Sequence, residues 1–406
     1  MNIALIMHEL LLEGGGERQC LSLARALIQQ GYEVTVYTSA YDRNCFQEIS
    51  RDLNITVVGR GRLQWIRKSQ FIRGYFDMRH LARAVVAKHE IWHPHHWPAQ
   101  WAAVWLKRRL GGKVIWMCND VPNFQPMSQE RKTIGFLKAT VHRLFYAYDR
   151  AQNRKVDLTL FLSNWAESQF RKIYSGNTQV VRSGADPSRF APGGDRLKLR
   201  KRFGYGPGDF VLLWLGILMP HRRLQDAIAA VGLLPNQDAN VRLLLAGSGL
   251  SYPEYFDSLK KLVNELGVPD RITFAGKVAD EEIRDFYCAC DAFLFPNEMQ
   301  TWGLAVLEAM ACGCPVLVSQ GAAVHEVLTD NENAILFPAR APKALAEKID
   351  LLATQPQLRQ KIAQAGMTLV RTTYNWEQFA NQIIRIFAQA LSTGAIQRSE
   401  SQLGRN

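Results

Sequence analysis

The sequence of 406 residues lacks the features that define several classes of protein. Its seven cysteines are odd in number and have no framework spacing, which favours reduced thiols over a secreted disulfide scaffold. No run of roughly 18 residues is uninterruptedly apolar, so a membrane-spanning helix is not expected. Residues 1–8 lack the basic lead and small-residue cleavage site of a secretory signal. We therefore expect a cytoplasmic protein.

Acidic charge is scarce in the first half of the chain. Residues 1–186 hold 26 Lys and Arg against 15 Asp and Glu, whereas the remainder holds 23 against 22. Cations interleave with aromatic and branched residues over 60–73, and more follow at 107–109 and 131–132. This pattern favours contact with an anionic membrane surface, and a solvated basic face is the alternative. No zinc-finger spacing or aromatic RNA-binding signature is present, so no nucleic acid is expected as a partner.

Short apolar runs without polar alternation predict parallel strands that are covered on both faces. They span residues 3–7, 34–38, 114–117, 158–162, 210–215, 241–246, 272–274, 292–295, 315–318 and 334–337. Segments of helical periodicity lie between them, at 19–30, 255–266 and 342–354. Alternating strands and helices predict an α/β fold with doubly wound parallel sheets.

A segment rich in proline and glycine, residues 185–194, coincides with the change in charge and predicts a linker. We therefore predict a first Rossmann-like domain over 1–186, a linker over 187–194 and a second Rossmann-like domain over 195–373. Two such sheets would face each other across a cleft at the carboxyl ends of their strands, where open α/β sheets bind ligands.

Glycines follow the first predicted strand and precede a helix at Gly14, Gly15 and Gly16. Glycine lets the backbone approach an anion closely, and the start of a helix offers unpaired amides. The spacing is not that of a dinucleotide fingerprint. A phosphate-binding loop and a plain tight turn are both compatible with it.

Two further motifs follow predicted strands of the second domain. Arg222 and Arg223 come shortly after residues 210–215, where adjacent guanidiniums suit a diphosphate or form ordinary surface charge. Gly303 precedes an apolar helix whose first amides suit a phosphate. Glu308 lies further along that helix, where the hydroxyls of a ribose would satisfy its carboxylate; a surface-facing glutamate is the alternative.

Together these motifs resemble the retaining glycosyltransferases of family 4, which have the two-domain GT-B fold. The resemblance covers nearly the whole chain, and its most specific segment is GLAVLEAMA at 303–311. It also includes SGAD at 183–186, LAGSG at 245–249 and FAGKV at 274–278. The resemblance implies transfer of a hexosyl group from a UDP- or GDP-sugar to a glycan or lipid-linked glycan in cell-surface polysaccharide or glycolipid synthesis. A catalytically inactive partner protein that binds sugar nucleotides is the alternative.

The resemblance also implies roles for individual residues. Arg222, with Arg223 as a substitute, neutralises the leaving phosphates, Gln300 contacts the sugar and Glu308 holds the ribose. The resemblance implies that the donor contacts Gly15, Gly16, Gly247, Lys277, Thr301, Trp302, Gly303 and Leu304. The helix over 374–391 crosses back onto the first domain, and residues 392–406 form a flexible tail. No metal and no cofactor are implied beyond the sugar nucleotide, which acts as a co-substrate.

Three positions depart from the family pattern. Gln300 replaces the first of two glutamates eight residues apart, and Ile217 replaces the arginine of a Gly-Arg-Leu motif. Asn119, after the strand at 114–117, replaces a histidine on the acceptor side. These changes leave room for a weakened or inactive enzyme.

His95 and His96 lie in a histidine-rich segment, 93–98, where the family often faces the acceptor. Metal binding and core packing are the alternatives for these imidazoles, although no acidic or cysteine partner has ligand spacing. Two Cys-x-Cys pairs, at 288–290 and 312–314, suggest redox or metal chemistry. Because both lie in apolar segments, we expect small buried residues there instead.

Overall fold

The computed structural model describes residues 1–11, 14–61, 70–120, 136–235 and 240–403. The chain forms two compact units. The first comprises Met1–Arg182 and Trp376–Asn406, and the second comprises Ser183–Asn375. Of the basic positions singled out above, residues 62–69 and 131–132 lie outside the described residues.

The first unit is a seven-stranded parallel sheet in the order β3-β2-β1-β4-β5-β6-β7. In chain order its strands are β1 Asn2–Leu10, β2 Glu33–Tyr41, β3 Ile55–Val57, β4 Ile91–His95, β5 Lys113–Met117, β6 Leu158–Phe161 and β7 Thr178–Val180. Its helices, labelled in chain order, are α1 Gly15–Gln29, α2 Gln47–Ser50, α3 Gln70–Ala84, α4 Ala99–Leu110, α5 Phe136–Asn153, α6 Asn164–Arg171 and α14 Trp376–Leu403.

The second unit is a six-stranded parallel sheet in the order β10-β9-β8-β11-β12-β13. Its strands are β8 Asp209–Leu215, β9 Asn240–Ala246, β10 Ile272–Gly276, β11 Ala292–Phe295, β12 Val316–Ser319 and β13 Ile335–Phe337. Its helices are α7 Arg196–Arg202, α8 Leu224–Leu233, α9 Pro253–Glu265, α10 Ile283–Ala289, α11 Leu304–Ala311, α12 Pro342–Thr354 and α13 Pro356–Thr372.

Each unit has its own apolar core, because its strands are apolar on both faces and helices cover them. In the first unit Ala4, Ile6 and Trp92 are fully buried. In the second, Leu212, Leu243 and Leu294 are. Two α/β domains with parallel, Rossmann-like sheets confirm the predicted fold class.

The boundary between the units lies at Arg182, four residues before the predicted end of the first domain at 186. Ala185 N–H donates to the Tyr374 carbonyl at 3.0 Å, which joins the two ends of the second unit. Residues 187–194, the predicted linker, belong to this unit, and Arg189 pairs with Asp280 at 2.6 Å.

The final helix α14 belongs to the first unit and remains helical to Leu403. Residues 392–403, predicted as a flexible tail, therefore continue the helix, and 404–406 lie outside the described residues. Phe387 of this helix packs edge-on to the His93 ring, with the centroids 5.1 Å apart. Within the described part of the chain, no helix combines the length and the apolar character that crossing a membrane would require.

Candidate functional site

The loops after β8, β9 and β10 meet at Gly247. Gly216 N–H donates to the Ala246 carbonyl at 3.0 Å, and Gly247 N–H donates to the Gly276 carbonyl at 2.7 Å. Gly247 has φ 154°, and a Cβ atom there would overlap the Gly216 carbonyl oxygen. The carboxyl ends of these three strands are therefore held together by backbone contacts that require a glycine.

Arg222 lies beside Gln300 at this edge of the sheet. Arg222 follows β8 in a 3₁₀ turn, Pro220–Arg222, and Gln300 follows β11. The guanidinium Nη1 donates to Gln300 Oε1 at 2.6 Å. Because the acceptor is a neutral amide, this contact leaves the charge of the arginine intact. The structure thus brings together two of the predicted catalytic residues, from segments 78 residues apart.

Arg223, the neighbouring arginine, binds a different side chain. It has φ 55°, immediately before α8, and its guanidinium makes two bonds of 2.9 Å to the Asp226 carboxylate. This pair spans the first turn of α8. Asp226 thus binds the guanidinium that was predicted to substitute for Arg222, and the two arginines have different partners.

Helix α11 begins directly after Gly303, so its first amides have no acceptor within the helix. A Cβ atom at Gly303 would come within 2.8 Å of Val324 Cγ1, which explains the glycine. Trp302 is buried against Tyr374, with ring centroids 6.3 Å apart. Among the described residues, its indole Nε1 has no hydrogen-bond partner. Thr301 and Leu304 are half-buried on either side.

Glu308 lies in α11, one turn beyond its start, and is buried. Tyr287 of α10 donates its hydroxyl to Glu308 Oε2 at 3.2 Å. The surface-facing alternative for Glu308 is therefore wrong. Lys277, predicted to lie near the nucleoside base, is exposed directly after β10.

In the first unit, Gly16 lies in the first turn of α1 against His96. A Cβ atom at Gly16 would overlap the His96 ring, whereas Gly15 is exposed. His96 has φ 59°, and its Nδ1 lies 3.6 Å from Asp120 Oδ2. The structure thus places the predicted donor loop beside a predicted acceptor-side histidine of the same unit.

Glu17 adds a carboxylate to this cluster that the sequence analysis did not single out. Burial raises the pKa of Glu17, while the neighbouring His96 lowers it and Asp120 raises it. Its place in a Gly-Gly-Gly-Glu run, at the start of a helix, was the available signal.

The remaining acceptor-side candidates are buried. His95 ends β4 and Asn119 lies two residues after β5, with relative exposures of 0% and 5%. In the part of the chain that the structure describes, both ring nitrogens of His95 and both amide atoms of Asn119 lack hydrogen-bond partners. Buried polar groups without partners are rare, and a bound ligand or water can satisfy them.

One group of side chains has the proximity of metal ligands. Atoms of His8, Glu9 and Asp77 lie within 4.8 Å of one another, and His8 Nε2 lies 3.0 Å from Asp77 Oδ2. Glu9 also pairs with Arg60 at 3.1 Å. Within the described part of the chain, these side chains form a salt-bridge network whose ligand atoms are close enough together to hold a cation.

Two family models match this chain. Residues 195–369 match the model of glycosyl transferases group 1, and residues 13–189 match that of glycosyltransferase family 4. A D-inositol 3-phosphate glycosyltransferase of Frankia alni is 25% identical, covering 94% of this chain and 96% of that protein.

Solved structures agree on the fold. Sucrose-phosphate synthase of Thermosynechococcus elongatus superposes with a TM-score of 0.79 at 22% identity, covering 97% of this chain and 99% of that one. HepE of Anabaena, in complex with UDP-glucose, superposes with a TM-score of 0.75 at 18% identity, covering 97% of this chain and 100% of that one. The two family matches, together with the fold, define a glycosyltransferase of the GT-B type. The chain belongs to the group 1 glycosyltransferases and is similar to family 4. It is a transferase.

Proposed function

We propose that this glycosyltransferase moves a hexosyl group from a UDP- or GDP-sugar, with retention at the anomeric carbon. The contact between Arg222 and Gln300, beside the start of α11, carries the proposal. It places a cation beside the first amides of α11 at one edge of the sheet, which suits the diphosphate of a sugar nucleotide. The complex of HepE with UDP-glucose supports this class of donor.

Transfer of the hexosyl group mainly requires stabilisation of the leaving diphosphate. Arg222 and the first amides of α11 would bear the charge that develops as the glycosidic bond breaks. Gln300 has an amide that donates as well as accepts, which suits the hydroxyls of a sugar. Glu308, already held by Tyr287, offers its other lone pairs to the two ribose hydroxyls.

A panel of UDP-, GDP- and ADP-sugars tests the donor, scored by thermal shift and by release of nucleoside diphosphate. Glu308→Ala should lose the stabilisation that the preferred donor gives to the parent. Glu265→Ala, at an exposed position in α9, is the matched control and should behave like the parent. If Glu308→Ala bound every donor as the parent does, the ribose assignment would be wrong.

The acceptor we propose is a glycan or a lipid-linked glycan of the cell surface, reached from the cytoplasmic face of the inner membrane. The excess of cations in the first half of the sequence supports this choice. Flotation with vesicles of phosphatidylglycerol and of phosphatidylcholine tests it. We expect binding to the anionic vesicles, and 0.5 M NaCl should abolish that binding. Equal binding to both kinds of vesicle would contradict the proposal.

The family resemblance also underlies the proposal that no metal is required. Donor hydrolysis should survive extended dialysis against EDTA. Loss of activity that Mg²⁺ or Mn²⁺ restores would overturn this and would direct attention to His8, Glu9 and Asp77. Donor binding without hydrolysis or transfer to any lipid or glycan extract would instead favour the inactive partner protein that Asn119, Ile217 and Gln300 suggest.

A further inference from the structure

Four cysteines lie where α10 and α11 end. Cys288 is in the last turn of α10 and Cys290 follows it, whereas Cys312 and Cys314 come directly after α11. All four are free thiols. The Cys288 and Cys312 side chains interact with each other, and Cys288 Sγ also donates to the Ala191 carbonyl at 3.6 Å.

This thiol contact lies next to the contact between Tyr287 and Glu308. Cys288 directly follows Tyr287, and Cys312 lies one helical turn after Glu308, with its N–H donating to the Glu308 carbonyl at 3.1 Å. The two contacts therefore bridge the same pair of helices at successive positions. A movement of the thiols should therefore also displace the Glu308 carboxylate.

The two thiols have different environments. Cys288 is half-buried, whereas Cys290, Cys312 and Cys314 are buried, which corrects the expectation that both cysteine pairs are buried throughout. The hydrogen bond from Cys312 lowers the pKa of Cys288 to about 7, against the opposing effect of burial. The Arg284 guanidinium also favours the thiolate, and Asp285 disfavours it.

The neighbouring thiols are unreactive by comparison. Donation of its proton to Cys288 and burial both raise the pKa of Cys312. Burial likewise raises the pKa of Cys290 and Cys314. Of the four thiols, the one that is not fully buried is therefore also the one whose pKa is lowered.

We propose that Cys288 is an oxidation site for hydroperoxides and that Cys312 resolves it as a disulfide. The Cys288 sulfur attacks the terminal peroxide oxygen, the O–O bond breaks, and the departing oxygen takes a proton to leave as water or an alcohol. Cys288 is then a sulfenic acid. The Cys312 sulfur attacks the Cys288 sulfur, the S–S bond forms, and the hydroxide that leaves combines with the Cys312 proton as water.

The consequence for the site rests on the proposed function. An S–S bond of about 2.05 Å is shorter than any contact between two thiols, so we expect its formation to draw the end of α11 towards α10. Glu308 lies on the turn that moves. A displacement on the order of 1 Å costs up to about a hundredfold in kcat/KM, so the oxidised enzyme should process its donor poorly.

Peptide mass mapping tests the modification on the full chain. The protein is treated with hydrogen peroxide at pH 7, alkylated and digested without reductant. We expect one disulfide, between the peptides that contain Cys288 and Cys312. Cys290→Ser, two residues along, is the matched control and should still form it. In Cys312→Ser, dimedone should trap a sulfenic acid on Cys288.

A disulfide between any other pair, or retention of all seven thiols, would overturn the proposal. Donor hydrolysis is measured before oxidation, after oxidation and after reduction with dithiothreitol. These three measurements separate the effect of the disulfide on the site from the proposed function itself. Loss and recovery of activity confirm the effect on Glu308. Formation of the disulfide with unchanged activity refutes that effect alone, and a reduced enzyme that hydrolyses no donor refutes the proposed function while the disulfide stands.

Discussion

The two units both place a glycine where strand ends converge, but different atoms crowd it. In the second unit Gly247 faces the backbone carbonyl of Gly216, and in the first unit Gly16 faces the side chain of His96. A side chain can rotate away from an added methyl group, whereas a hydrogen-bonded backbone cannot without breaking the loop. The edge of the second sheet is therefore the more rigid of the two, as a site that binds phosphate through backbone amides requires.

The polar side chains of the two units also differ in their hydrogen-bond partners. Arg222 and Gln300 are bonded to each other, and Tyr287 is bonded to Glu308. In the first unit the buried side chains of His95 and Asn119 lack partners among the described residues. The second unit also has such a group, the indole Nε1 of Trp302, but the charged side chains predicted for its site are bonded, whereas a ligand or water would have to satisfy every polar side-chain atom of His95 and Asn119.

Replacing Gly247 with alanine should have the largest effect. The substitution combines a left-handed φ with overlap on a backbone oxygen, so the free energy of unfolding should fall by about 4 kcal/mol. Urea unfolding measures this loss. Gly208→Ala, at a glycine with open space around its Cβ position, is the control and should change stability little. Equal losses in both variants would show that the edge of the second sheet is not rigid.

Arg222→Ala should come next, as an effect on activity rather than stability. Removing a cation from a developing diphosphate charge should lower kcat/KM by about 10²-fold, or about 3 kcal/mol. Arg223→Ala is the matched control, since Asp226 already engages that guanidinium, and it should cost less than tenfold. Steady-state kinetics with the preferred donor decide between them. A larger loss in Arg223→Ala would reverse the assignment.

The sequence predicted the second sheet better than the first for a physical reason. All six of its strands are short apolar runs, and each was predicted within a few residues. In the first sheet β4 was not predicted, because IWHPH carries two histidines and a proline in a central position. β3 and β7 were not predicted either; they are three-residue strands at the sheet edges, with little apolar surface to signal them.

Site residues divide in a similar way. Gly303 and Glu308 lie within one continuous motif, so their proximity follows from the periodicity of a helix. Tyr287 reaches Glu308 through the packing of two helices and Asp226 captures Arg223 through a local turn, and neither contact has a motif. The different partners of Arg222 and Arg223 could therefore not be predicted from the sequence.

Gly16→Ala should have a smaller effect than Gly247→Ala. The methyl group meets the His96 ring, which can rotate, so a loss of about 1–2 kcal/mol in the free energy of unfolding is expected. Adding His96→Ala should recover most of that loss, because the obstructing ring is gone. Urea unfolding of the single and double variants checks this. Additive losses would mean that the ring is not what confines Gly16.

The smallest effect concerns the carboxylate beside that ring. Burial raises the pKa of Glu17 in the folded protein, so between the unfolded and folded pKa values the native state binds more protons than the unfolded state. Stability from this group is therefore present at low pH and is lost as the pH rises through the folded pKa. Glu17→Gln cannot ionise, so its urea midpoint should exceed that of the parent at pH 8 and match it at pH 4. Glu48→Gln, at an exposed position in α2, provides the control. An advantage of Glu17→Gln that is equal at both pH values would show that lost packing or hydrogen bonding, and not burial of charge, distinguishes this part of the first unit.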